Sequence, residues 1–205
     1  MKKLIPLVVL IAACSQKSED KLPFLGNTIF EENDTIYHTI QDFELLDQDG
    51  TIISNETVSD QVYVADFFFT SCPTICPKMK TQMMRVYNKF EGNPEVIFLS
   101  HTIDPTYDTI PLLKDYADRL GVNADQWKFL WGEQEDVYDL AEKSYMSIAD
   151  EDTEAPGGFV HSGAFLLVDK DRRVRGFYDG TVPEQVDVLM NDIDKLLKEY
   201  EPASN

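Results

Sequence analysis

Phe67-Phe68-Phe69-Thr70-Ser71-Cys72-Pro73-Thr74-Ile75-Cys76-Pro77 stands where an apolar strand gives way to a helix. The run from Val62 to Phe69 reads as a strand buried on both faces, as at the centre of an α/β sheet. Pro77 suits a helix's first turn, where its missing N–H costs nothing, and a residue before proline is pushed out of the helical region. Cys76 is therefore expected as the N-cap, with Cys72 in the loop before it and the helix running through Met79, Met83, Met84 and Tyr87. Both sulfurs would then face the positive end of a helix dipole, which favours thiolate. Thiolate is the form that binds a soft metal or attacks a disulfide.

Working outward, Phe43-Glu44-Leu45 and Thr51-Ile52-Ile53 flank an Asp47 to Gly50 turn and read as a hairpin. After the helix from Pro77 to about Phe90 come a strand, Val96 to Leu99, and a helix marked by Leu112, Leu113, Tyr116, Ala117 and Leu120 that stops at Gly121. Lys128 to Trp131 reads as extended, and Val137, Leu140, Ala141 and Tyr145 mark a third helix. An acidic, glycine-bearing loop from Ala149 to Gly158 precedes two strands, Ala164 to Val168 and Val174 to Tyr178. Thr181-Val182-Pro183-Glu184 has the spacing of a capping box, and Val186, Leu189, Ile193, Leu196 and Leu197 line one face of a last helix. The order is βαβα, one more strand and helix, then ββα. It predicts an α/β, thioredoxin-like fold: a central mixed sheet flanked by helices, with an N-terminal hairpin, an insertion, and the cysteines after the first central strand.

The chain has 205 residues and three cysteines. Met1-Lys2-Lys3, the apolar Leu4 to Ile11 and the small Ala12-Ala13 form an export signal over residues 1–13, too short for the roughly 20 residues of a membrane-spanning helix. Ile11-Ala12-Ala13-Cys14 resembles the bacterial lipobox, which implies a lipidated Cys14 and an exported domain anchored to a membrane of a bacterial cell envelope, in the periplasmic space. Residues 14–36 then read as a flexible tether and residues 37–205 as one domain. Without Lys2 and Lys3 the chain keeps 16 basic residues against 37 acidic ones, about −21. Such a charge repels nucleic acid and assists encounter with a cationic partner or metal ion.

Among the three histidines, His161 stands out. It lies in Gly157-Gly158-Phe159-Val160-His161-Ser162, read as a flexible loop before a strand, on the side of a thioredoxin-like fold that faces the cysteines. Two cysteines and one histidine make a soft site suited to Cu(I), tolerable for Cu(II) and able to hold zinc. His101, placed at the end of the strand Val96 to Leu99, is a weaker candidate, and His38 falls in the neighbourhood of the tether with no assigned role.

The cysteine stretch, Asp104-Pro105-Thr106-Tyr107-Asp108-Thr109, Leu130-Trp131-Gly132, Val160-His161-Ser162 and Phe165 to Asp169 together resemble the Sco/SenC family. The resemblance runs from about Thr39 to Leu197. It implies a copper-binding, thioredoxin-like factor for cytochrome c oxidase assembly, with Cys72, Cys76 and His161 as copper ligands. The implied partner is the oxidase subunit that carries the dinuclear copper site, with a second copper donor or a thiol reductant beside it. Two positions depart from the family's pattern: Val160 stands where many members carry an acidic residue, and Thr106-Tyr107 replace Glu-Arg. The same two cysteines also suit a thiol–disulfide reductase acting without copper. A purely structural disulfide is the third reading, but closing so short a loop stabilises less than the approximately 3 kcal/mol of a 15-residue loop. A peroxidase lacks its proline and threonine ahead of Cys72.

Overall fold

The computed structural model describes residues 21–32, 34–152 and 158–201. The expected signal at 1–13 and Cys14 lie outside the described residues. In chain order the elements are β1 (Ile29–Phe30), β2 (Thr35–Ile36), β3 (Glu44–Leu46), β4 (Ile52–Ser54), β5 (Val62–Phe68), α1 (Cys76–Phe90), β6 (Val96–Thr102), α2 (Ile110–Leu120) and β7 (Trp127–Leu130). There follow α3 (Gln134–Asp139), continued by one π-helical turn at Leu140–Ser144, then β8 (Ala149–Glu151), β9 (Phe159–His161), β10 (Ala164–Val168), β11 (Val174–Asp179) and α4 (Pro183–Glu199).

Five strands form the central sheet in the order β11-β10-β5-β6-β7. The β5, β6 and β7 strands run parallel, while β10 is antiparallel to both β5 and β11, so the sheet is mixed. Every residue of β5, β6 and β10 is buried, which is what an apolar run covered on both faces requires. Alternation along the strands puts Asp66, Phe68 and Ser100 on one face and Phe67 and His101 on the other. On the first face lie Met79 and Met83 of α1 and Tyr116 of α2, and α4 packs on α1, β11 and β5. On the second, Tyr145 closes over Phe67 at a ring separation of 5.5 Å.

The expected β3–β4 hairpin forms, with Leu45 opposite Ile53, and docks beside the end of β7 through paired bonds between Leu46 and Trp131. Gly132 makes that approach possible: a Cβ there would come within 2.3 Å of the Leu45 side chain. Helix α2 stops at Gly121, whose φ of 71° is the left-handed cap that glycine adopts without strain.

Several expectations are corrected. Part of the segment expected as a flexible tether is held to the domain: Leu22 is buried, Leu25 N–H donates to Val174 O, and Arg175 donates to the carbonyls of Leu22 and Pro23. A small, largely exposed hairpin follows, in which Ile29–Phe30 pairs with Thr35–Ile36. No capping box forms at α4, because Val182 is the N-cap and the Thr181 hydroxyl donates back to Asp179 instead. Strand β6 runs on to Thr102, which places His101 inside it rather than at its end. The region Ala149 to Gly158 contributes a strand, β8, and His161 belongs to the strand paired with it rather than to a flexible loop.

Candidate metal centre

Strand β5 ends at Phe68 and the chain turns tightly, with Cys72 N–H donating to Phe69 O at 3.2 Å. Cys76 is the first residue of α1 and not its cap; Ile75 precedes the helix, and its carbonyl accepts from the N–H groups of Lys78 and Met79, drawing the first turn back by one residue. From the far side of the sequence β9 brings His161. Its Nε2 stands 3.1 Å from Cys76 Sγ and 3.9 Å from Cys72 Sγ, and the three donor atoms all lie within 4.8 Å of one another. The aromatic edge of Phe69 meets the imidazole at 5.8 Å, and Phe159 packs on Phe69 in turn.

The imidazole is oriented for this task. His161 Nδ1 lies 3.2 Å from Ser162 O, an atom that only accepts, so Nδ1 carries the proton and Nε2 presents its lone pair to the sulfurs. Burial lowers the affinity of His161 for a second proton, which keeps it in the neutral form that ligates. Three donors around one ion, at metal–sulfur and metal–nitrogen lengths of about 2.3 and 2.0 Å, stand roughly 3.7–4.0 Å apart. The Cys72 to His161 spacing meets that value and the Cys76 to His161 spacing needs to open by about half an ångström. The residues present fit a soft, three-ligand ion.

The two thiols are not equivalent. Burial acts to raise Cys72, but the backbone N–H groups of Thr74 and Cys76, with the Cys76 and Thr74 side chains, outweigh it and leave the thiol below its ordinary value. Burial pushes Cys76 well above the thiol range, against the Phe69 N–H that lowers it, and Cys72 and Asp66 add to the rise. The helix dipole was expected to favour thiolate at both; for Cys76 desolvation wins.

A sequence model of the SCO1/SenC family matches residues 31–198. The chain belongs to that family. The SCO1 protein homolog of Bacillus subtilis is 32% identical over 162 residues, which is 78% of this chain and 83% of the relative. Among solved structures, a SCO1/SenC family lipoprotein from Bacillus anthracis str. Ames superposes with a TM-score of 0.72 at 26% identity, over 78% of this chain and 95% of that one. BsSco, a member of the Sco family of cytochrome c oxidase assembly proteins in which a disulfide switch is identified, gives 0.69 at 31% identity over 78% and 94%. The thioredoxin-like architecture expected from element order is the architecture of these Sco proteins.

Of the residues singled out in the sequence of this Sco chain, Cys72, Cys76 and His161 come together, and both cysteines are free thiols. His101 does not join them. It is fully buried between Phe67, stacked at 4.9 Å, and Tyr145, with Nδ1 against Asp66 O and Nε2 without a partner. His38 is fixed by a 2.7 Å bond between Nε2 and Ser144 O in the π-helical turn. Sequence reasoning missed the support under His161: Ser147 and Ser162 share a 2.5 Å hydroxyl bond, and Ser162 N–H donates to Ile148 O. No spacing signal links Ser147 to Ser162; only the pairing of β8 with β9 does.

Proposed function

We propose that this Sco chain binds one copper ion through Cys72 Sγ, Cys76 Sγ and His161 Nε2 and serves cytochrome c oxidase assembly by delivering it to the subunit with the dinuclear copper site. The observation that carries the reading is the arrival of His161 Nε2, oriented by Ser162 O, against two sulfurs 85 and 89 residues away in sequence. Two sulfurs and one neutral imidazole are a soft donor set, which selects Cu(I) over hard cations. Copper is cargo here. The chain's own work is to hold three donors near their binding positions, exclude water with Phe69 and Phe159, and take up or release the thiol protons.

A second reading, thiol–disulfide exchange, is favoured by the asymmetry of the thiols. Cys72, with the lower value, is the attacking sulfur; it would form a mixed disulfide with a client, and Cys76 would resolve it, leaving the client as a dithiol and this chain oxidised. A thiol reductant must then restore it. The two readings separate on His161. A Cu(I) competition titration should give one ion per chain, with Cys72→Ala, Cys76→Ala and His161→Ala each weakened sharply. In cells at limiting copper, His161→Ala should lose oxidase assembly as fully as Cys72→Ala. Near-normal oxidase activity in that strain would favour the reductase.

The export signal and Cys14 support a lipid anchor to a membrane of a bacterial cell envelope, with the domain in the periplasmic space, and the Bacillus anthracis relative is itself a lipoprotein. Several acyl chains hold a protein firmly where one does so marginally. Labelled fatty acid should enter the wild type and not Cys14→Ser; wild-type protein found mainly in the soluble fraction would refute the anchor.

A further inference from the structure

The segment Asp104 to Thr109 contains one side chain that faces the cysteine loop rather than solvent. Asp108 is fully buried, whereas Tyr107 beside it is 57% exposed. The Asp108 carboxylate accepts three hydrogen bonds. Thr70 N–H donates to Oδ2 at 3.0 Å, the Thr70 hydroxyl donates to Oδ1, and the Thr102 hydroxyl donates to Oδ2 at 2.6 Å. Thr70 is two residues before Cys72, in the tight turn that Cys72 N–H closes on Phe69 O. Asp108 is itself fixed: its N–H donates to Asp104 O at 2.8 Å, Asp104 N–H reaches the Thr102 hydroxyl, and Ile103 N–H donates to Phe68 O.

We infer that Asp108 is a positioning residue for the metal centre, holding Thr70 and through it the Cys72 side of the site against the loop that follows β6. The inference rests on the copper reading of that site. Its physical basis is that both carboxylate oxygens are acceptors, and Thr70 presents two donors in a fork. A ligand loop that leaves a strand end has few backbone bonds of its own, and a buried carboxylate supplies what the ladder no longer does. An amide in the same place keeps the shape but loses the charge that strengthens all three bonds, and the Thr70 hydroxyl must turn round to accept from it. Groups that orient metal ligands in this way typically contribute 10- to 100-fold to metal affinity. The exposed Thr106 and Tyr107, where this chain departs from the family's pattern, take no part in the fork.

The test uses the full chain with Asp108→Asn, Thr70→Val, the double variant, and Leu196→Ala as a core control in α4. Cu(I) affinity by competition titration should fall about 10-fold or more in Asp108→Asn and fall in Thr70→Val. The double variant should be no worse than Asp108→Asn, because both remove one interaction. Leu196→Ala should lower the urea midpoint yet leave Cu(I) affinity within about twofold of the parent. Parental affinity in Asp108→Asn, or in Thr70→Val if Asp108→Asn does not fold, would overturn the inference. A metal-free readout separates this from failure of the copper reading: Cys72 labelling by iodoacetamide at neutral pH should slow several-fold in Asp108→Asn. If the parent binds no Cu(I) but labelling slows, the copper reading falls and the positioning stands; if labelling is unchanged as well, both fall.

Discussion

Cys72 and Cys76 are almost equally covered, at 8% and 7% exposure, yet their surroundings drive the two thiols in opposite directions. Cys72 sits where N–H groups of the next turn converge on its sulfur; Cys76 has fewer such groups, lines the same cavity as Asp66, and feels the charge of that carboxyl. Reactivity follows the thiolate fraction. In the reduced, metal-free protein at neutral pH, substoichiometric iodoacetamide should therefore label Cys72 at least about tenfold faster than Cys76, read by mass spectrometry of the two peptides. Equal rates would show that the convergent N–H groups do not govern the loop. The identity of both residues was plain in the sequence, since nothing else in the chain matches their setting. Their inequality was not, because it depends on which N–H groups and which charges surround each sulfur.

At the scale of elements, the order of strands and helices was legible because each carries its own period: the buried run of β5, the helical spacing through α2 to Gly121, and the Asp47 to Gly50 turn. What the sequence concealed were elements held by partners rather than by pattern. The polar segment before β3 has no period, but Arg175, 2% exposed in its side chain, holds Asp169 and Glu199 as well as the carbonyls of Leu22 and Pro23. A chain shortened to begin at residue 37 should accordingly be less stable than one beginning at residue 21, by about 2–4 kcal/mol from lost Leu22 burial and lost bonds to a buried charge. Urea denaturation of the two checks it. Val174 pairs with Val168 at the end of the sheet opposite the cysteines, so Cu(I) affinity should be the same in both. Equal stability would mean that this segment acts as a tether after all.

On opposite faces of the sheet, the buried Asp66 and His101 have opposite consequences for stability. Burial, partly offset by the Ser100 hydroxyl, raises the Asp66 carboxyl to about 7. The folded state thus holds a proton that the unfolded chain releases near pH 4, and Asp66 contributes stability below about pH 4 that is lost as pH rises toward 7. Burial, against the backbone contacts of Asp66 and Leu99, lowers His101 to about 4. Its contribution is full above about pH 6.5 and is lost as pH falls toward 4. Each changes by up to about 1.4 kcal/mol per pH unit, so in the parent they nearly cancel across that window. Relative to the parent, Asp66→Asn should gain stability as pH rises from 4 to 7, and His101→Phe should gain as pH falls from 6.5 to 4. Urea midpoints measured across this range give the two slopes directly; parallel curves would refute the assignment of either group.

By itself the sequence determined the alternating α/β order, the thioredoxin-like class, and which side chains carry soft-ligand chemistry, because strand burial, helical period and the proline-flanked cysteines are local properties of the chain. The sequence placed His161 on the side of the fold that faces the cysteines; tertiary structure decided that its ring meets the sulfurs and that His101, the weaker candidate, is committed elsewhere. The reason is register: β9 pairs with β8 and turns Nε2 toward Cys76, whereas the place of His101 inside β6 commits its ring to the stack between Phe67 and Tyr145. Distance along the chain carries no information about either outcome, since strand pairing between remote segments sets both.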